Sequence, residues 1–230
     1  GQLVKILDTV PPASGHDIHL TIDYALQKKA HELLTEKCGA VAAMDPATGE
    51  ILAMASGPGF DQNRLVDGIS TGEWNELMCH TGRPMFDKAV QGEYPPASTY
   101  KIVSAIAGLE EGVCDVHQTV YCPGKYKFGN RYYGCWKEHG HGSLNMIDAL
   151  SESCDVYFYH LSRRIGVDRL AEYARACGLG AKTGIDMGME SSGLVPTAEW
   201  KQRRFGVPWQ AGETLSIAIG QGYNLTTPLQ

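Results

Sequence analysis

Two apolar runs, GAVAAMD over residues 39–45 and EILAMAS over 50–56, flank the tetrapeptide Pro46-Ala47-Thr48-Gly49. Short apolar segments on either side of such a turn predict an antiparallel hairpin. Helical patterns dominate further along the chain. Residues 98–112, STYKIVSAIAGLEEG, come after Pro95-Pro96 and end on Gly112. Their interior is apolar on most of its circumference, which predicts a buried helix. Residues 145–165 predict one or two more helices, and 168–177 another with Asp168 as its N-cap. A hairpin succeeded by a helical block means mixed α+β and excludes an alternating βαβ sheet. Upstream, HLTID (19–23) alternates like a short strand, and residues 23–37 carry Ala25, Leu26, Ala30, Leu33 and Leu34 at helical spacing. LSIAIGQG (215–222) reads as a strand or as a helix start broken at Gly220. From Gly57 to about Ala97 the chain reads as one long irregular stretch, and loops of that length tend to carry function.

Charge narrows the function classes. The 230 residues include 20 basic and 26 acidic ones, a net charge of −6. No run of lysine and arginine threaded with aromatics stands out, which argues against a nucleic-acid binder. No apolar stretch approaches a membrane span and no signal-peptide pattern opens the chain, so any anchor or export signal is expected outside it. Residues 1–17, with Pro11, Pro12, Ser14 and Gly15, read as an incoming linker or arm, and 18–230 as the domain. There are seven cysteines, an odd number, and four of them fall between 114 and 154 beside His117, His139 and His141. In a chain of this size, such clustering suggests a metal site more than a disulfide framework.

The first chemical motif is Ser98-Thr99-Tyr100-Lys101. Serine and lysine three apart on a helix share one face. A serine hydroxyl is a poor nucleophile until a base takes its proton, and a lysine can be that base only where its surroundings favour the neutral amine. By itself the tetrapeptide is common by chance.

Its context is more specific. LTIDYALQ (20–27), the 39–56 hairpin, YPPASTYK (94–101), GHGSLNMIDALSESCDVYFY (140–159), GLGAKTGID (178–186) and IGQGYNLTTPLQ (219–230) together resemble the transpeptidase domain of class B penicillin-binding proteins, the elongation-specific penicillin-binding protein 2 type above all. The resemblance covers essentially the whole chain. It implies a penicillin-binding protein/β-lactamase-like fold, an antiparallel sheet with a helical subdomain over about 98–178. It implies Ser98 as nucleophile and Lys101 as its base. Ser153 would relay a proton to the leaving amine, and Asp155 would be the third member of that motif. Asp155 stands where Asn is commoner, and an ionised carboxylate there would tend to keep a neighbouring lysine charged. Ala97 replaces a common Gly, and Asp87-Lys88 a common Asn-Arg.

The family's third motif, K-T-G or K-S-G on an inner strand, is expected to be absent. Lys182-Thr183-Gly184 spells it but sits in a segment that resembles a loop, so Lys182 is read as a surface residue. The stretch alone is therefore expected to be nearly inactive, with the third motif and its strands supplied from elsewhere. The resemblance also implies a structural Zn²⁺ on Cys122, Cys135, His141 and Cys154, with 12, 5 and 12 residues between successive ligands. His139 is the competing histidine, and a Cys122–Cys135 disulfide the next possibility. The expected function is peptidoglycan D,D-transpeptidation on D-Ala–D-Ala stem peptides, inhibited covalently by β-lactams. It would take place at the periplasmic face of the bacterial inner membrane, with a rod-elongation glycan polymerase as partner. A β-lactamase or β-lactam sensor, and a zinc-stabilised binding module without catalysis, are the alternatives.

Overall fold

A computed structural model of the chain describes residues 11, 13–66 and 68–230. Most of the arm expected over 1–17 lies outside those residues. In chain order the elements are α1 (Tyr24–Leu33), β1 (Gly39–Met44), β2 (Ile51–Gly57), α2 (Asn63–Val66), α3 (Thr71–Cys79), a 3₁₀ turn (Ala97–Tyr100) and α4 (Lys101–Glu110). Then come β3 (Val120–Cys122), β4 (Lys125–Phe128), β5 (Arg131–Gly134), β6 (Gly142–Leu144), α5 (Met146–Ser151), α6 (Asp155–Ile165), α7 (Val167–Ala176), α8 (Ala198–Phe205) and α9 (Ala211–Ala218). No helix among the described residues is long and apolar enough to cross a membrane.

The 39–56 hairpin is present, with β1 antiparallel to β2 from Gly39↔Gly57 to Met44↔Ile51. The inner face of β2, Ala53 and Ala55, packs with Ala30 and Leu34 into a small core of its own. HLTID is not a strand. Its backbone runs beside β2, held by the Thr21 hydroxyl donating to the Ile51 carbonyl at 2.6 Å and Asp23 N–H to Leu52 O at 2.9 Å. Asp23 then caps α1 by accepting from Leu26 N–H.

The larger core is helical. Tyr100, Val103 and Ala107 meet Val156, Phe158 and Leu161 of α6, Leu170 and Ala174 of α7, and Leu215 and Ile217 of α9. The Ser104 hydroxyl, fully buried, donates to Ala218 O at 2.8 Å and ties α4 to α9. Inside such a core a hydroxyl needs that partner, because an unpaired one would cost roughly 1–3 kcal/mol.

Two further expectations are corrected. The stretch from Gly57 to Ala97 holds α3, whose N-terminus is closed by a capping box: Ser70 and Glu73 each satisfy the other's backbone N–H. Asp168 is not the N-cap of α7. That position is Gly166 at φ 81°, while Asp168 lies in the first turn and accepts from Ala198 N–H at 2.9 Å. Residues 120–144 form two short antiparallel pairs. β3 pairs with β6 and β4 with β5, the latter hairpin turning on Gly129-Asn130.

Candidate active site

Ser98 lies in the 3₁₀ turn that opens α4, and Lys101 is the first residue of α4 proper. Ser98 is exposed, while Lys101 is 1% exposed in the core beneath it. Lys101 therefore reaches the site from below, its ammonium 5.8 Å from the centre of the buried Phe158 ring. The turn between α5 and α6 supplies the remaining members. Lys101 Nζ donates to Ser153 O at 2.8 Å, Ser153 Oγ at 3.0 Å and Asp155 Oδ1 at 2.6 Å. Ser153 Oγ in turn donates to Ser98 Oγ at 3.0 Å. The four residues thus form one hydrogen-bonded line, Ser98–Ser153–Lys101–Asp155. Ser153, not Lys101, is the direct partner of the Ser98 hydroxyl.

Two residues in sparsely populated backbone conformations flank this line. Ala97 has φ 50° and Ser153 φ 51°. Each costs of order 1–3 kcal/mol outside glycine, so the surrounding contacts must hold them. Ala97 N–H donates to Gly220 O at 2.9 Å. Ser153 N–H donates to Leu150 O at 3.1 Å and Cys154 N–H to Ala149 O at 2.8 Å, closing the turn on α5. Asp155 begins α6, where a carboxylate meets the positive end of the helix dipole. Its second oxygen, Oδ2, accepts from Trp136 N–H at 3.1 Å, and the Trp136 indole N–H donates to Glu152 O at 3.0 Å. Trp136 and Gly220 are positions to which the sequence reading gives no site role, Gly220 being read only as a break in LSIAIGQG. Gly220 stands in a visible Gly-Gln-Gly, whereas Trp136 meets Asp155 through its backbone N–H, which leaves no side-chain signal, and only its indole bond to Glu152 O depends on residue type.

Behind Ser153 lies the second predicted cluster. The ligating atoms of Cys122, Cys135, His141 and Cys154 all fall within 4.8 Å of one another, and the three cysteines are buried. All seven cysteines are free thiols. His141, rather than His139, joins the group, with Nδ1 at 3.6 Å from Cys135 Sγ. Its Nε2 is buried with no hydrogen-bond partner, an unmet polar atom of the kind that ligation removes. Burial pushes the Cys154 thiol well above its ordinary value, and Cys122 beside it adds to this. Three thiols and one imidazole at this spacing fit a small tetrahedral cation, for which S–S edges of about 3.8 Å follow from metal–sulfur bonds of about 2.3 Å. Lys182-Thr183-Gly184 takes no part. Lys182 is exposed, the segment forms no strand, and the Thr183 and Gly184 N–H groups donate to Glu190 at 2.7 and 3.2 Å.

A resting ammonium on Lys101 uses its three hydrogens on Ser153 O, Ser153 Oγ and Asp155. A neutral amine would turn a lone pair towards Ser153 Oγ and let the line carry a proton away from Ser98. That is the chemistry of an activated serine nucleophile.

Residues 39–230 match the family described as the penicillin binding protein transpeptidase domain. The peptidoglycan D,D-transpeptidase MrdA of Escherichia coli (strain K12) is 43% identical over 232 aligned residues, covering 100% of this chain and 37% of that protein. Penicillin-binding protein PBP2 from Helicobacter pylori superposes with a TM-score of 0.91 at 37% identity, over 96% of this chain and 42% of the other. A structure described as the coordination of polymerization and crosslinking by a peptidoglycan synthase complex gives 0.80 at 36% identity, over 91% of this chain and 39% of the other.

Proposed function

The chain belongs to the penicillin-binding protein transpeptidase family, and on that premise we propose that it carries the acyl-transfer chemistry of a peptidoglycan D,D-transpeptidase of the penicillin-binding protein 2 type. The observation that carries the reading is the line from the Ser98 hydroxyl through Ser153 to Lys101. Ser98 Oγ attacks the carbonyl of the D-Ala–D-Ala bond as its proton passes to Ser153 and the Ser153 proton to the neutral Lys101 amine. The same relay run backwards delivers a proton to the departing D-Ala amine. The acyl-enzyme is then resolved by an amine of a neighbouring stem peptide, whose proton takes the same path. Asp155 orients the lysine and, through Trp136, the loop beside it. A β-lactam stops at the acyl-enzyme. The relative spans nearly three times this chain, so we assign these activities to the whole protein. We assign it also to the periplasmic face of the inner membrane, with a glycan polymerase of the elongation machinery as partner.

Zn²⁺ is the cation we propose for Cys122, Cys135, His141 and Cys154. A filled Cys₃His set leaves it no open position, so its role is structural. Bound there, it would fix Cys154, and with it Ser153 and Asp155, against the 122–141 segment.

The test is labelling of the full-length protein by a fluorescent penicillin. Ser98→Ala and Lys101→Ala should abolish labelling, and Ser153→Ala should slow it by about 100-fold or more. Labelling that survives Ser98→Ala sinks the reading. Rapid turnover of nitrocefin would point instead to a β-lactamase, and absence of labelling in a protein that still holds zinc to a binding module.

A further inference from the structure

The sequence KYKFGNRYYGCWK, residues 125–137, interleaves basic and aromatic residues, contrary to the expectation that the chain has no such tract. The β4–β5 hairpin sorts them. Lys125 and Lys127 point outwards while Tyr126 between them is buried. Tyr132 pairs across the hairpin with Lys127, and its ring centre lies 5.2 Å from Lys125 Nζ and 5.9 Å from Lys127 Nζ. Tyr132 is 61% exposed and Tyr121 66%. With Val156 and His160 as its wall, these side chains line an open groove of about 440 Å³.

The residues lining the groove include Lys125 and Lys127 and no acidic side chain, although Asp115, Glu138 and Asp155 bound the same segments. Residues 116–137 hold Lys125, Lys127, Arg131 and Lys137 and no acidic residue, and residues 156–165 hold Arg163 and Arg164 and none either. Neither Lys125 nor Lys127 forms an ion pair among the described residues. In a chain of net charge −6 this is a local positive field. The elements that line the groove are also tied to the candidate active site. Val156 comes directly after Asp155, Trp136 N–H holds Asp155, and the Tyr159 hydroxyl of α6 donates to Gly134 O at 3.0 Å.

We propose that this groove docks the peptidoglycan strand: sugar faces lie on the Tyr132 and Tyr121 rings, and carboxylates of the stem peptides meet Lys125 and Lys127. The proposal rests on the transpeptidase reading and adds where the polymer lies beyond the reacting bond. A β-lactam needs only the neighbourhood of Ser98. A polymer must run on across the surface, and a groove with exposed rings between uncompensated ammonium groups suits alternating sugar and carboxylate.

Full-length wild type and the variants Lys125→Glu/Lys127→Glu, Tyr132→Ala and, as control, Lys37→Glu are compared for binding to soluble uncrosslinked peptidoglycan strands. The first two should bind strands about tenfold more weakly. In crosslinking they should raise the strand KM with a much smaller change in kcat. Their penicillin acylation rate should change far less than their strand affinity, and Lys37→Glu should bind as wild type. Equal strand binding by all four proteins overturns the proposal. So does wild type that binds anionic vesicles or single-stranded oligonucleotides more tightly than strands and loses that binding in the same variants. If penicillin fails to label wild type, the transpeptidase reading fails, while the strand-binding comparison still decides the groove.

Discussion

Gly220 holds the Ser98 turn in place, and replacing it with alanine is the most direct check on that reading. Gly220 has φ 69°, and a Cβ built on it would lie 2.1 Å from Ala97 O, 2.7 Å from Ala97 N and 2.8 Å from Tyr100 Cβ. The first two are backbone atoms, so no rotamer change relieves the clash. Left-handed backbone at alanine costs about 1–2 kcal/mol. Pushing the turn away breaks the 2.9 Å hydrogen bond from Ala97 N–H to Gly220 O, worth about another 1 kcal/mol. Together these give about 3 kcal/mol, or a drop of about 6–12 °C in the melting transition of a unit of this length. Ser98 is the residue after Ala97, and a displacement near 1 Å at a nucleophile costs about 100-fold in rate. In the full-length protein Gly220→Ala should therefore melt lower and acylate with fluorescent penicillin about 100-fold more slowly. A variant that melts within about 2 °C of wild type and acylates at the wild-type rate would refute the contact. Ala97→Gly, which removes a strained φ, should leave acylation close to wild type.

Lys201 is buried and its ammonium lies 2.6 and 2.7 Å from the two oxygens of Glu213, so Glu213→Gln should strand a buried cation. The expected loss is about 3 kcal/mol, seen in urea unfolding as a lower midpoint at unchanged slope. Burial alone would push the Glu190 carboxyl up, but the Thr183 hydroxyl and the N–H groups of Thr183 and Gly184 outweigh it and hold it below its ordinary 4.5. A depressed carboxyl stabilises fully above that value and ceases to do so as pH falls through its folded one. Melts from pH 7 to 3 should show wild type losing its margin over Glu190→Gln at the acid end, and a constant margin would contradict the assignment. Purified full-length protein should carry about one zinc per chain, and Cys154→Ser should lose it and melt at a lower temperature. Metal retained in that variant would exclude Cys154 as a ligand.

Legibility varied with how local the signal was. The β1–β2 hairpin and α4 were readable because each carries its apolar pattern in one short contiguous run, whatever distant elements that face packs against. The capping box at Ser70 and Glu73 is equally local, yet it is hidden inside a stretch rich in turn residues. The same holds for Gly129-Asn130, a two-residue hairpin turn between basic and aromatic residues. Ser98, Lys101, Ser153, Asp155 and the four metal-type ligands could be named from motifs, yet not their order of contact. That Ser153 stands between Ser98 and Lys101 depends on how the α5–α6 turn docks on α4. The positive φ at Ala97 and Ser153 likewise comes from tertiary contacts.

Ser153, Cys154 and Asp155 are adjacent, and each faces a different duty. Ser153 touches Ser98, Cys154 sits at 0% exposure among thiols, and Asp155 divides its oxygens between Lys101 and Trp136. Under the acyl-transfer reading proposed above, one replacement in this tripeptide reaches three contacts at once, so variation that tunes acylation by a β-lactam should fall outside it.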